Sequence, residues 1–163
     1  MFRSLRSLSL LALGLLSACN DDGSTEGGPR SGLWRYVDGG VVGNSCGTED
    51  VVADPNTNFQ LTNNGDGTFT VAQLVEDDFT CTVEGSSFTC PERLGGSETI
   101  DGGPLGVATL TYTVRVEGTL DGTSAMSGTQ IADITCEGAA CAAGPSIGIT
   151  LPCQYSVAFT ADI

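Results

Sequence analysis

From Leu33 to the end of the chain, apolar and polar side chains alternate with a period of two, in stretches dense in Thr, Val and Phe. Clusters of Gly, Asn, Asp and Ser divide these stretches at the short intervals of an antiparallel sandwich or barrel, and helical periodicity is almost absent. The pattern predicts eight strands: Leu33–Val37, Asn58–Thr62, Thr68–Leu74, Asp78–Val83, Ser87–Cys90, Gly106–Glu117, Ser124–Cys136 and Cys153–Ala161. The expected fold is therefore all-β. It is an antiparallel meander over residues 32–163, closed into a small barrel or layered as a β-sandwich.

Three turns suggest how the strands pair. With Gly85-Ser86 at the centre of a type II′ turn, Glu84 faces Ser87, Val83 faces Phe88 and Cys81 faces Cys90, which places Phe79, Cys81, Val83, Phe88 and Cys90 on one face. This register predicts a Cys81–Cys90 disulfide at a non-hydrogen-bonded position, where antiparallel strands come closest. Around Asn63-Asn64-Gly65-Asp66-Gly67, a loop of three or five residues sets Phe59 opposite Val71 and Leu61 opposite Phe69. A three-residue loop ending at Thr123 sets Tyr112 opposite Ala132 and Leu110 opposite Ile134. It also turns Gln130 inward, where the amide needs a hydrogen-bonding partner or a ligand.

The first nineteen residues are of another kind. Arg3 and Arg6 form a positive head, and Leu8 to Leu16 (LSLLALGLL) is an apolar run of nine. A membrane-spanning helix needs about 20 such residues, whereas a positive head, a short apolar core and small residues make an export signal. The segment Leu16-Ser17-Ala18-Cys19 resembles the lipobox of bacterial lipoproteins. That resemblance implies a signal peptide over residues 1–18, cleavage before Cys19, a diacylglyceryl thioether on Cys19 and a further acyl chain, such as palmitate, on the new amino terminus. Several chains make a stable anchor, so the membrane is an expected partner. Asn20 stands where an aspartate would favour the inner membrane of enteric bacteria, so the expected address is the cell envelope, at the outer membrane. Residues 19–31 have a Gly- and Ser-rich acidic composition and predict a flexible tether.

Exported thiols oxidise, and with Cys19 committed to lipid the other six of seven cysteines form three disulfides. For Cys46, Cys136, Cys141 and Cys153 the pairing is open. Cys136 with Cys141 would close a small loop and leave Cys46 for Cys153, at the start of a strand that can reach the first one. This arrangement is preferred over Cys136 with Cys153 and Cys46 with Cys141.

Charge narrows the chemistry. Six cations, all arginine, face 20 acids with no histidine, and removal of Arg3 and Arg6 leaves 4 − 20 = −16. A nucleic-acid partner is excluded, because a polyanion needs a cationic stripe. Without histidine or lysine, the His-activated nucleophiles, the Schiff-base amine and the imidazole metal ligand are absent. Asn63, Asp66, Glu76, Asp77 and Asp78 offer oxygens to calcium but lack the Asp-x-Asp-x-Asp-Gly spacing, and there is no Cys-x-x-Cys knuckle, so no metal or cofactor is assigned.

Gly32-Leu33-Trp34 followed by a run of hairpins resembles the opening of lipocalin-type calycin barrels. The resemblance implies an eight-stranded up-and-down barrel with Trp34 at the closed end and an arginine packed across it. The last strand, Cys153 to Ile163, has no arginine, and Arg115 is the nearest substitute. Such a barrel either fills its interior or leaves room for one small ligand. In a hollow barrel the ligand-binding residues would be Trp34, Tyr36, Tyr112, Gln130 and Tyr155. The leading functional expectation is a non-catalytic cell-envelope lipoprotein that displays a disulfide-stapled β-domain to an envelope protein or glycan. The alternatives are a lipocalin-like carrier of a small apolar ligand and a carboxylate-dependent hydrolase.

Overall fold

The computed structural model describes residues 28–47, 57–72 and 77–163. Its eight strands are β1 (Gly32–Asn44), β2 (Asn58–Asn63), β3 (Thr68–Ala72), β4 (Phe79–Glu84), β5 (Ser87–Asp101), β6 (Val107–Asp121), β7 (Ala125–Glu137) and β8 (Cys153–Asp162). Each is antiparallel to its sequence neighbour, and β1 also pairs with β8, so the sheet closes as a barrel rather than splitting into a sandwich. The lipobox, Cys19 and Glu76 lie outside the described residues, as do the first part of the expected tether and the end of the expected third strand.

The alternation is realised as read. On β8, Cys153, Tyr155, Val157, Phe159 and Ala161 are all buried, while Thr80, Thr82, Glu84 and Thr89 on β4 and β5 are exposed. Apolar-in and polar-out is the reverse of the pattern in barrels that span a membrane.

Two strands run well past their expected ends. β1 continues through Asp38-Gly39-Gly40 and β5 through Pro91 and Gly95-Gly96. Register shifts fall at those places, between Asp38 and Gly40, Val41 and Gly43, Cys90 and Arg93, and Leu94 and Gly96. A bulge tolerates what a regular ladder does not: Pro91 has no N–H to give, and Gly40 takes a φ of +89° while its N–H bonds the Asp38 carboxylate at 2.6 Å. The result is a lopsided barrel. β2, β3 and β4 have 6, 5 and 6 residues, whereas β1 and β5–β8 have 10 to 15.

At the base, where β1 begins, Trp34, Leu61, Phe69 and Cys81 are sealed from solvent. Residues 28–31 belong to this base and correct the expected extent of the tether. Pro29 is fully buried, the Arg30 N–H bonds the Thr123 carbonyl at 2.7 Å, and the Ser31 hydroxyl accepts from the Asn63 N–H at 2.8 Å. The Trp34 Nε1–H in turn donates to the Arg30 carbonyl at 2.9 Å. At the opposite end, a 3₁₀ segment over Ala139–Ile147 leaves β7, and the Thr150 N–H bonds the Cys46 carbonyl.

Three disulfides join Cys81 to Cys90, Cys46 to Cys153 and Cys136 to Cys141. The first fits the predicted hairpin, in which Val83 faces Phe88 and Glu84 faces Ser87, and the other two match the preferred arrangement. Two other registers differ by two residues from expectation. Leu61 faces Val71 and Asn63 faces Phe69, and Tyr112 faces Ile134 and Leu110 faces Cys136. In the first case the loop is Asn64–Gly67, held by an Asn64 N–H bond to the Thr68 carbonyl and by positive φ at Gly65 and Gly67. In the second, the three-residue loop is Gly122–Ser124, one residue later than expected.

Cys46 and Cys153 enclose a loop with a sequence separation of 107, against 9 for Cys81–Cys90 and 5 for Cys136–Cys141. Loop-closure entropy predicts that the longest loop contributes about 4.7 kcal/mol and the shortest about 2 kcal/mol. Replacing Cys46 and Cys153 together by serine should therefore lower the unfolding free energy roughly twice as much as replacing Cys136 and Cys141. Denaturant titration without reductant measures both, and equal losses would rule out this ranking.

Candidate functional site

The short wall leaves the interior unevenly filled. Above the base is a cavity of about 460 Å³, inside the range of small-molecule pockets, roughly 300 to 1,000 Å³. Phe69, Phe88 and Met126 line it from the lower core cluster, with Val71 and Phe79 on the short wall and Val114 and Val116 on the long one. Phe69 and Phe88 meet edge to face at 5.5 Å, and Tyr36 stacks on Phe159 at 5.3 Å. The floor is shaped by two glycines that face each other across β6 and β7, Gly118 and Gly128. A Cβ on Gly118 would lie 2.7 Å from the Phe88 ring, and one on Gly128 would lie 2.9 Å from the Phe159 ring. The two rings occupy the room that side chains there would take.

The polar residues of the lining are few: Tyr36, Thr57, Asn58, Arg93 and Gln130. Arg93 pairs with Val114 on β6 and shares its inward face, because the bulge after Cys90 resets the alternation. Its guanidinium lies over the Phe79 ring, 3.9 Å from the centroid, with Nε and Nη1 buried. Cation–π contact of this kind offsets part of the desolvation of the charge. No Asp or Glu lines the cavity among the described residues.

Of the five ligand-binding candidates read from the sequence, Tyr36 and Gln130 line the cavity, and Trp34, Tyr112 and Tyr155 do not. Trp34 sits below it in the base, one ring removed through its stack on Phe59 at 6.4 Å. Tyr155 lies above it in a second cluster with Cys46, Cys153 and Val157, and burial and the Asp38 carboxylate push its hydroxyl above the ordinary phenol range. Tyr112 pairs with Gly96 and Ile134 beyond the cavity, where burial and the charge of Glu98 raise it likewise. Arg93 was missed, since the expected fifth strand stops at Cys90.

Arg115 does not reach Trp34. It lies on the outer face of β6, where its Nη1 bonds the Asp133 carboxylate. Asp133 also accepts from Gln154 Nε2 at 2.9 Å, linking three strands. The calcium candidates serve their own loop: Asp66 accepts from the Thr68 hydroxyl at 2.6 Å, which holds its carboxyl below the ordinary range, and Asn63 accepts from the Gly65 N–H at 2.9 Å. Among the described residues there is no cluster of three or more His, Cys, Asp or Glu able to hold a metal ion.

Comparison with protein-family models, with curated proteins and with solved structures gives no match.

The Gln154 amide first, and then the Arg115 guanidinium, hold the Asp133 carboxyl below its ordinary value despite the opposing effect of burial. A depressed folded-state value stabilises the fold above the unfolded pKa, about 3.9, and the benefit disappears as pH falls through the lower folded value. With both partners more than a third exposed, the contribution should stay below about 1 kcal/mol. Asp133→Asn should thus be less stable than the native chain at neutral pH and converge with it in acid, as followed by thermal denaturation. A gap that stays constant across that range would exclude the linkage.

Proposed function

We propose that this chain is a non-catalytic, lipid-anchored protein of the bacterial cell envelope whose barrel carries a small apolar ligand. The cavity of about 460 Å³, walled by Phe69, Val71, Phe79, Phe88, Val116 and Met126, carries this reading. A barrel built only for display gains nothing from the space, because an interior filled to ordinary density is the more stable one. The export signal, the lipobox at Leu16-Ser17-Ala18-Cys19 and three disulfides in the folded body support the envelope address.

The position of the base adds a geometric consequence. Residues 28–31 enter the barrel at its closed end, and only Cys19 to Glu26 and Gly27 separate them from the lipid. At about 3.5 Å per residue, that span keeps the base within roughly 30 Å of the bilayer. The cavity is then held on the side of the base away from the membrane, within reach of molecules in the envelope space.

The purified mature chain should bind the apolar fluorophore N-phenyl-1-naphthylamine saturably, at one per chain. Val116→Trp, which fills the cavity, should weaken that binding at least about tenfold, the equivalent of 1.4 kcal/mol. Intact-mass spectrometry of the native product should find residues 1–18 gone and acyl chains on Cys19. Unsaturable dye uptake would end the carrier reading, and an unlipidated Cys19 would end the envelope-anchor reading.

A further inference from the structure

The ladder between β4 and β5 ends at Thr82 opposite Thr89, whereas β5 stays paired with β6 as far as Asp101. Among the described residues, no strand pairs with the other edge of β5 beyond Thr89. An exposed strand edge is a template for a further strand unless something blunts it, and proline, bulges and charge are the usual means. β1 also outruns β2, but two register shifts interrupt its ladder with β8. On β5, Pro91 and two shifts lie between Cys90 and Gly96. From Gly96 opposite Tyr112 to Asp101 opposite Val107 the ladder is regular and contains no proline. Ser97, Glu98, Thr99, Ile100 and Asp101 are all exposed, so both faces of this stretch meet solvent.

Exposed apolar side chains gather at the same place. Leu94, Ile100, Leu105 and Val107 are four of the eight large ones exposed among the described residues, and all lie on β5, on β6 or on the 3₁₀ turn Gly103–Leu105 between them. Clustered apolar exposure of this kind marks an interaction surface. The charges on the edge choose the partner. Glu98 shares one face with Ile100, and Asp101, which also accepts from the Gly103 N–H at 2.9 Å, shares the other with Ser97 and Thr99. A second copy would bring the same acids and a mature net charge of 4 − 20 = −16 against them, and like charges facing across a ladder destabilise it. We infer that Gly96–Asp101 is a docking edge for an extended cationic peptide segment of another protein. The segment adds as an antiparallel strand, with Lys or Arg opposite Glu98 and Asp101 and an aliphatic side chain opposite Ile100. Main-chain bonds supply the affinity and alternate side chains the selectivity. None of these six residues lines the cavity, so the edge and the carrier reading stand independently.

Fluorescence anisotropy with the full mature chain and the labelled, end-blocked peptide Lys-Val-Thr-Lys-Thr-Val tests the assignment. The peptide should bind at one per chain, and its counterpart with Glu for both Lys should bind roughly tenfold more weakly. Of two peptides N-methylated on alternate residues, the one that loses the edge-facing N–H groups should also lose roughly tenfold, and the other should lose less. Replacing both acids, Glu98→Lys with Asp101→Lys, should reverse the preference so that the Glu peptide binds better, which also shows that the variant is folded. Sedimentation velocity should find the native chain monomeric. Equal binding of the Lys and Glu peptides, no binding of either, or undiminished binding of both N-methylated peptides would overturn the inference. A native dimer that the Lys peptide dissociates would give the edge to a second copy and overturn it as well.

Discussion

The rest of the structure depends on how β1 is shared between two partners. Its first residues, Gly32 to Arg35, pair with β2, and from Arg35 onward the strand pairs with β8. Arg35 stands at the changeover, opposite both Asn58 and Asp162, and its guanidinium holds the Asp162 carboxylate through two bonds of 2.9 and 3.1 Å. The pair is exposed and adds little energy by itself. Its place in the ladder matters more, because the stagger between the two pairings closes the sheet at the base and removes the edges an open sheet would present there.

From that stagger come a base and a hollow. Where β1 meets β2, all eight strands contribute, and the base is dense enough to bury Trp34, Leu61, Phe69 and Cys81 completely. Above it the short strands β2, β3 and β4 end while the others continue. There, β5, β6 and β7 turn Arg93, Val114, Val116 and Gln130 toward the cavity, and these side chains leave part of the space between them and the short wall unfilled. The Cys46–Cys153 bond ties the far ends of β1 and β8 together at the other extreme of the barrel, so the wall beside the cavity is clamped above and below.

How much of this was legible in the sequence divides along one physical line. Alternation reports which face a side chain takes, and it did so on β4, on β8 and at Gln130. It does not report which residue lies opposite, because sliding two strands by two residues keeps every face the same. That is the size of the error at both Asn63–Phe69 and Asp121–Ala125, whereas the Gly85-Ser86 turn, with a cysteine pair as a second constraint, left no room to slide. The strand ends were lost for a related reason. Asp38-Gly39-Gly40 and Pro91 read as breaks in a pattern, but in the fold they are bulges inside continuous strands, and each bulge changes the phase of the residues after it. Arg93 lies just beyond such a phase change, so no period-two reading that runs through Cys90 would place it inside. Residues 28–31 were misread because their polar side chains gave no hydrophobic signal, while backbone hydrogen bonds and one proline ring are what dock them.

The functional reading therefore rests on empty space inside the barrel. An apolar cavity that persists in solution takes up xenon, and a collapsed or side-chain-filled one does not. Crystals of the mature chain equilibrated under xenon pressure should show an ordered xenon atom among Phe69, Phe88 and Met126. An interior packed shut, with no xenon between those three side chains, would contradict the hollow barrel.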